Sequence, residues 1–386
     1  MDSVTERRLI AEAAQIVEGH RTSISDAVVE VPRGTYVDPA RQQAEREVLF
    51  RKFPLAVTLS ARIPNKNDFV TEDVGGLRLI IARGADQVAR VFVNACRHRG
   101  NIVCTAASGN ARRFVCGYHA WSYDTTGACK SVADDDAFQH IDRDTVGLVE
   151  LPSEERHGLI WTVPTPGAPI DVQAYLGDAL DREIADQKLE SQVVFAEDTL
   201  VRPFNWKLAV DTFQEVFHVN ILHAETLKGL FSGLAAMEPF GRHHRFTAIR
   251  ASFEKDFDPR DPEQSILPHA SIVYLLFPNT VLIWQMDHIE LWHIYPNAGN
   301  DNECVMRIFL IIPTAADERA QRYWRRNWEL LQQSVWKEDF DVMADIQKNL
   351  AAGGLPSMVF GRNEAALQHY HRQVNEVLAE AGGQRG

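Results

Sequence analysis

The sequence predicts an α+β fold in two domains, a small all-β domain followed by a larger one of mixed helix and sheet. Three observations carry this. At 386 residues the chain is too long for one ordinary core and comfortable for two. Between about 40 and 165 its apolar residues fall in short β-like runs, "LRLIIAR" (77–83), "ARVFVNAC" (89–96), "RRFVCGYHAWSY" (112–123) and "GLIWTVP" (158–164), separated by Gly, Asp and Asn turns. On either side the helical period takes over. It shows in "TERRLIAEAAQIVEGH" (5–20), in "VQAYLGDALDREIADQ" (172–187), in the segment 205–225 and in a long helix over roughly 315–350. Strand-like runs at 246–254, 271–286 and 303–312 make this second domain mixed. The expected division is 40–165 for the β domain, and 1–39 with 166–386 for the other.

Composition excludes several classes. An apolar fraction of 45% and a charged fraction of 24% are those of a globular protein, and no apolar run approaches the ~20 residues of a membrane span. The opening "MDSVTERRLIAEAAQIVEGH" has early acids and no apolar h-region, so it is read as no secretory signal and the chain as cytoplasmic. A net charge of -13 with no Lys/Arg-rich run argues against nucleic acid. Five cysteines, an odd number at low density, suit a reducing compartment where Cys serves metals. The closing "EAGGQRG" is the one expected loose end.

Two short clusters then stand out, Cys96-X-His98 in "CRHRG" and Cys116-X2-His119 in "CGYH". A structural zinc site is the plain alternative on ligand identity. Zinc fingers, however, generally pair Cys with Cys and His with His, whereas here each loop gives one of each. A Rieske-type [2Fe-2S] cluster needs two Cys on one iron and two His on the other, which two facing loops of this kind supply. With their flanks, "CRHRG" and "CGYHAWSYD" resemble the Rieske motif of ring-hydroxylating oxygenases. Cys104, Cys129 and Cys304 fall outside the pattern and read as packing residues.

A cluster only moves single electrons, so a second redox centre is expected in the larger domain. In "NWKLAVDTFQEVFHVNILH" His218 and His223 are five apart, which on a regular helix is about 140° and not one face. Both reach one metal only if the helix is broken or bulged between them; otherwise they are unrelated helix residues. In the last long helix Leu331, Val335, Val342 and Ile346 form an apolar stripe that contains Asp339, while Glu338, Asp341 and Asp345 fall on the polar face. A carboxylate in such a stripe needs a cation or donors, so Asp339 is a candidate third ligand, an N-cap or a salt bridge being the alternative. Two His and one carboxylate leave three positions open on an octahedral Fe(II). Glu215, three residues before His218, would be its neighbour on a helix and a natural acceptor for its second ring N–H; the alternative is a solvated acid. Asp211, one turn earlier, is a further acid that could approach the iron.

Taken together, the Rieske motif, "NWK", "E-X2-H-X4-H" and "ED" in a late helix resemble, in order and over nearly the whole chain, the α subunit of Rieske non-haem iron oxygenases. The resemblance implies a Rieske domain and a helix-grip-like catalytic domain whose antiparallel sheet is covered by helices. It implies the iron ligands His218, His223 and Asp339, with Glu215 linking the iron to the cluster of a neighbouring subunit in a homotrimer. Electrons would come from NADH through a separate reductase, with a ferredoxin as a further carrier, and O2 would be the co-substrate. The family more often has Asp at the bridging position; Glu occurs in some members, including ones acting on quaternary amines. Asn205, Trp206 and Lys207 would serve packing and positioning. An aromatic or aromatic-acid substrate is expected, giving a cis-dihydrodiol, an alcohol or a dealkylated product. A quaternary ammonium compound is the alternative, and an electron carrier without oxygen chemistry the remote one. Phe213, Val219, Leu222, Leu230 and Phe231 are candidate cavity residues. Arg245 and Arg250 pair with a substrate carboxylate if they point inward, and are otherwise surface residues.

Overall fold

The computed structural model describes residues 3–261, 263–314 and 317–383, so the last three residues of the expected loose end lie outside the described residues, as do 315 and 316 of the expected long helix. The chain forms two compact units, 50–175 with 189–191, and 1–49 with 176–188 and 192–386. The sequence placed these boundaries about ten residues earlier. They lie later because residues 40–49 belong to the larger unit, where Arg46 pairs with Asp301 and Glu45 with Lys207.

The small unit is built from antiparallel ribbons, as period-two patterning dictates. A five-stranded sheet runs in the order Glu150–Leu151, Ala89–Val93, Leu77–Arg83, Asp68–Val74, Ser108–Asn110. Beside it in the unit are a three-stranded sheet of Ser153–Arg156, Leu159–Thr162 and Leu55–Leu59 and another of Arg113–Val115, Ser122–Asp124 and Cys129–Ser131. Phe69, Ile80, Phe92, Phe114, Trp121 and Tyr123 form one core cluster, and Cys96 and Cys116 belong to it.

The larger unit centres on a seven-stranded antiparallel sheet in the order Val193–Arg202, Asn300–Ile312, Ile289–Asn297, Thr280–Trp284, Ala270–Leu276, His243–Arg250, Phe231–Phe240. The single run expected at 271–286 is therefore a hairpin, turning at Phe277-Pro278-Asn279. The run at 246–254 is strand only to Arg250 and continues as the helix Ala251–Asp256. The expected long helix has three parts: α-helix Glu318–Leu331, π-helix Gln332–Asp339 and α-helix Phe340–Ala352.

The "NWK" residues act as expected for packing. Asn205 caps the helix Trp206–Thr212, its Oδ1 accepting from the Lys207 N–H at 3.0 Å. Trp206 Nε1 donates to Glu45 Oε2 at 3.2 Å and Lys207 Nζ to the same oxygen at 2.5 Å, all buried. Removing one partner of such a pair strands a buried charge, at about 3–5 kcal/mol. This bond ties the N-terminal segment under the helix that leads into the histidines. Among the described residues no helix is long and apolar enough to cross a membrane.

Candidate metal centres

Each ligand loop of the small unit is shaped by its own backbone. Cys96 and His98 follow the strand Ala89–Val93; there the Cys96 N–H donates to Asn101 O at 2.8 Å and the Gly100 N–H to Cys96 O at 2.8 Å. Gly100 has φ 74°, the left-handed turn that a side chain resists. In the partner loop, between Arg113–Val115 and Ser122–Asp124, the Cys116 N–H donates to Trp121 O at 2.8 Å and the Ala120 N–H to Cys116 O at 3.0 Å. The two loops face each other: the His98 and His119 ring centroids are 4.5 Å apart, and Trp121 stacks on His98 at 5.2 Å and 9°.

The donor set fits a Rieske cluster. His98 Nδ1 is buried with no hydrogen-bond partner, a costly state that a metal relieves. The Tyr123 hydroxyl lies 3.2 Å from Cys96 Sγ, and the Asn101 amide 3.6 Å from Cys116 Sγ. Burial alone would raise the Cys116 pKa, but N–H groups of Tyr118, Asn101 and His119 and the Cys96 thiol outweigh it and hold it below the ordinary value. Lost hydration, then His98 and Arg99, lowers the His119 pKa. Both shifts favour thiolate and neutral imidazole, the forms in which these groups bind metals. Cys129 and Cys304 are buried and Cys104 half-buried, all free thiols.

The second site lies in the larger unit. The helix Trp206–Thr212 stops, and the chain resumes as a single turn, Val219–Leu222, with His218 immediately before it and His223 immediately after. The break expected between His218 and His223 is absent: the Leu222 N–H donates to His218 O at 2.6 Å and the His223 N–H to Val219 O at 3.1 Å, so the turn between them is intact and the helix is interrupted before His218 instead. One ligand atom from each of His218, His223 and Asp339 fits within a span of 4.8 Å. Asp339 Oδ1 lies 3.1 Å from His223 Nε2 and 3.5 Å from His218 Nε2, is buried, and makes no hydrogen bond. Three ligand atoms converging without bonding one another are what a cation between them would leave. Burial lowers the His223 pKa, but Asp339 and Glu338 reverse this, so the metal-free group titrates above its ordinary range.

Both histidines have a carboxylate behind them. Glu215 contacts His218 Nδ1 and accepts from the backbone N–H groups of Phe217 at 2.5 Å and His218 at 3.2 Å, in a turn and not on the helix expected. Glu338 Oε2 lies 2.5 Å from His223 Nδ1 and accepts from Thr226 Oγ1 at 2.8 Å. The polar-face reading of Glu338 is thus corrected. Wound with i→i+5 bonds, about 4.4 residues per turn, the π-helix turns both Glu338 and Asp339 inward. The same winding breaks the stripe beyond Asp339: Val342 is exposed, while Phe340, Gln347 and Leu350 are buried. The pairing "ED" was the only sequence signal of this role. Carboxylates behind metal-bound histidines typically contribute 10–100-fold to affinity. Glu338→Ala should therefore weaken iron retention by about that factor, read as iron content after chelator challenge.

Asp211 does not join the trio. Its carboxylate accepts from the Tyr36 hydroxyl at 2.7 Å and contacts His371 Nε2 at 2.8 Å, because the unbroken helix Trp206–Thr212 points it toward those residues. A cavity of about 340 Å³ opens beside the ligands, lined by Phe213, Val219, Leu230 and Phe231 as expected, but not by Leu222. Arg245 is neither at the surface nor in this cavity; it is buried and held by Glu183 at 2.7 Å and by Glu238. Arg250 is on the cavity wall.

The comparisons with known proteins agree with this arrangement. The Rieske [2Fe-2S] domain model matches residues 54–142, and the ring hydroxylating alpha subunit (catalytic domain) model matches 189–380. The chain belongs to the Rieske non-haem iron oxygenase α-subunit family. Family membership implies a [2Fe-2S] cluster and a mononuclear iron. Among relatives of this chain, the biphenyl 2,3-dioxygenase α subunit of Rhodococcus jostii is 32% identical over 229 residues, 58% of this chain and 48% of that one. The glycine betaine monooxygenase oxygenase subunit of Chromohalobacter salexigens is 30% identical over 200 residues, 52% and 44% of the two chains. The matched stretch spans about half the length of these curated relatives. The fold is shared with the quaternary ammonium Rieske monooxygenase CntA, at TM-score 0.78, 19% identity and coverage of 91% and 96%. It is also shared with naphthalene 1,2-dioxygenase from Rhodococcus sp., at TM-score 0.74, 19% identity and coverage of 96% and 98%.

Proposed function

We propose that this oxygenase is the terminal component of a cytoplasmic system in which a separate NADH-dependent reductase, alone or through a ferredoxin, supplies electrons for O2-dependent hydroxylation or dihydroxylation of an aromatic substrate. The observation that carries the reading is the second ligand set, His218, His223 and Asp339, each histidine backed by its own carboxylate and set beside an apolar cavity. An electron carrier has no use for it. When bound, the cluster at Cys96, His98, Cys116 and His119 supplies electrons singly, and iron at the trio supplies an oxygen-activating centre with open positions.

The chain's own groups prepare that centre. Glu215 and Glu338 hold a proton on Nδ1 of His218 and His223, so that each presents Nε2 toward Asp339. Phe213, Phe246, Val273 and Ile283 give the cavity apolar walls that suit a flat ring and exclude water. In a homotrimer, the assembly the family resemblance implies, Glu215 would also link the iron site to the cluster of a neighbouring subunit. A quaternary ammonium substrate is the second reading; what favours it is the pair of acids Asp287 and Glu290 on the cavity wall.

Iron analysis and oxygen uptake test the function together. The loaded protein should hold about three irons per chain and couple O2 uptake to product with a surrogate reductase; two irons and no uptake would make it a carrier. For the cluster assignment, His98→Cys should lower the cluster's potential and change its EPR signature, since a thiolate replaces a neutral ligand. An unchanged spectrum would remove His98 from the ligand set.

A further inference from the structure

We propose that Arg250 sets the substrate specificity of the cavity, and that the substrate is an aromatic acid whose carboxylate this guanidinium binds while the ring reaches toward the metal ligands. This deepens the oxygenase reading and rests on it.

The sheet side of the cavity is graded. Phe246, Ala248 and Arg250 alternate along one strand and so share a face, with Ser271 and Val273 on the next strand and Ile283 and Gln285 on the one after. Cross-strand register puts Phe246, Val273 and Ile283 in one apolar row and Ala248 beside Ser271 in the next. Arg250 lies two residues further, where Ser271, Gln285 and the guanidinium bond to one another. The helical wall has the same gradient. Tyr323, Asn327, Leu331 and Val335 lead along it to Asp339. Tyr323 bonds Asp287, whose charge acts on Arg250. Tyr323 and Asp339 are sixteen residues apart and stand at different ends of this wall. The cation and the metal ligands therefore occupy separate stations of one cavity.

Arg250 also has donors to spare. Its Nη2 donates to Gln285 Oε1 at 2.7 Å and Ser271 Oγ at 3.2 Å, two neutral groups that position it. Nη1 reaches only the Pro268 carbonyl, at 3.5 Å, and Nε is buried with no partner. No described carboxylate lies within ion-pair distance. Arg245, five residues earlier on the same strand, is the contrast, because Glu183, Glu238 and Glu12 surround it. The acids nearest Arg250 are already engaged. Asp287 contacts His288 Nδ1 at 3.0 Å and accepts from Tyr323 at 2.9 Å, while Glu290 lies 3.6 Å from His288 Nε2 and accepts from Gln285 at 3.3 Å. Burial opposes charge on His288, but these two carboxylates carry its pKa up to about 9, so it is an imidazolium at neutral pH. A half-buried guanidinium on a cavity wall, with no described carboxylate within ion-pair distance, offers a fork that a planar carboxylate fills.

The test is equilibrium binding to the anaerobic, metal-loaded protein, so that no turnover intervenes. The probes are 2-naphthoate, 2-naphthamide and 2-naphthyltrimethylammonium, which share a ring and differ in charge. The acid should bind at least about 10-fold tighter than the amide, the difference a charge-assisted pair makes. Arg250→Gln should weaken the acid by about 10- to 100-fold and leave the amide unchanged, and Arg250→Lys should restore part of the loss. Unchanged iron content and cluster absorption will show that the variants are folded. Equal binding of acid and amide, tightest binding of the ammonium probe, no binding by any probe, or equal loss of all three in Arg250→Gln would each overturn the proposal. If the acid binds through Arg250 and no oxygen is consumed on reduction, the oxygenase reading fails and the role of Arg250 stands. If amide and acid are hydroxylated alike, the reverse holds.

Discussion

Asp339→Ala should strip the mononuclear iron from the protein while leaving the [2Fe-2S] spectrum unchanged, and turnover should fall to background. Asp339 is 3% exposed and supplies the only carboxylate oxygen in the trio, with Oδ1 3.1 and 3.5 Å from the two imidazoles. Without it two neutral ligands remain, and a hard divalent cation loses its one compensating charge at the site. The matched control is Asp341→Ala, two residues on and exposed, which should change iron, activity and stability by no more than about 0.5 kcal/mol. Metal analysis with EPR of the reduced cluster reads both. Equal iron and activity in the two variants would refute Asp339 as a ligand.

Glu215→Gln should separate the two centres functionally without emptying either. The amide can keep an oxygen toward His218 Nδ1, but it loses the charge, and the carboxylate's hold on the Phe217 and His218 backbone N–H groups is weakened. Cluster and most of the iron should persist, the cluster should remain reducible, and turnover should drop by at least about 100-fold, the upper range for such supporting groups. Glu215→Asp, with the charge restored on a shorter arm, should recover part of the rate. The decisive measurement is single-turnover oxidation of the pre-reduced cluster with substrate and oxygen present. A Gln variant that reoxidises its cluster at the parent rate and forms product would reduce Glu215 to an ordinary turn acid.

Much of this was legible in the sequence because ligand chemistry is local. Cys-X-His and Cys-X2-His at the ends of short strands need only two tight turns to face each other, and turn signals are short-range. The five-residue spacing of His218 and His223 points to a break between them, but the turn between the two is intact and the helix is interrupted before His218. What stayed hidden depends on long-range packing. A uniform 3.6-residue period puts Glu338 on the polar face, and nothing in "LQQSVWKEDF" announces another winding. Asp211 has the same charge and proximity as a ligand, yet partners from 160 and 175 residues away, His371 and Tyr36, claim its carboxylate. Arg245 and Arg250 read alike in sequence. Only the fold gives one three acids and the other two neutral amphoteric neighbours, Ser271 and Gln285.

The eight π-wound residues also shift the phase between the two helices they join. Upstream, the face carrying Tyr323, Asn327 and Leu331 is set by the cavity; downstream, the face carrying Phe340, Gln347 and Leu350 is set by the protein's core. In a uniform helix the 3.6-residue period alone would set the angle between the two faces. Here the π winding between Gln332 and Asp339 supplies a different offset, so the upstream face can meet the cavity while the downstream face meets the core.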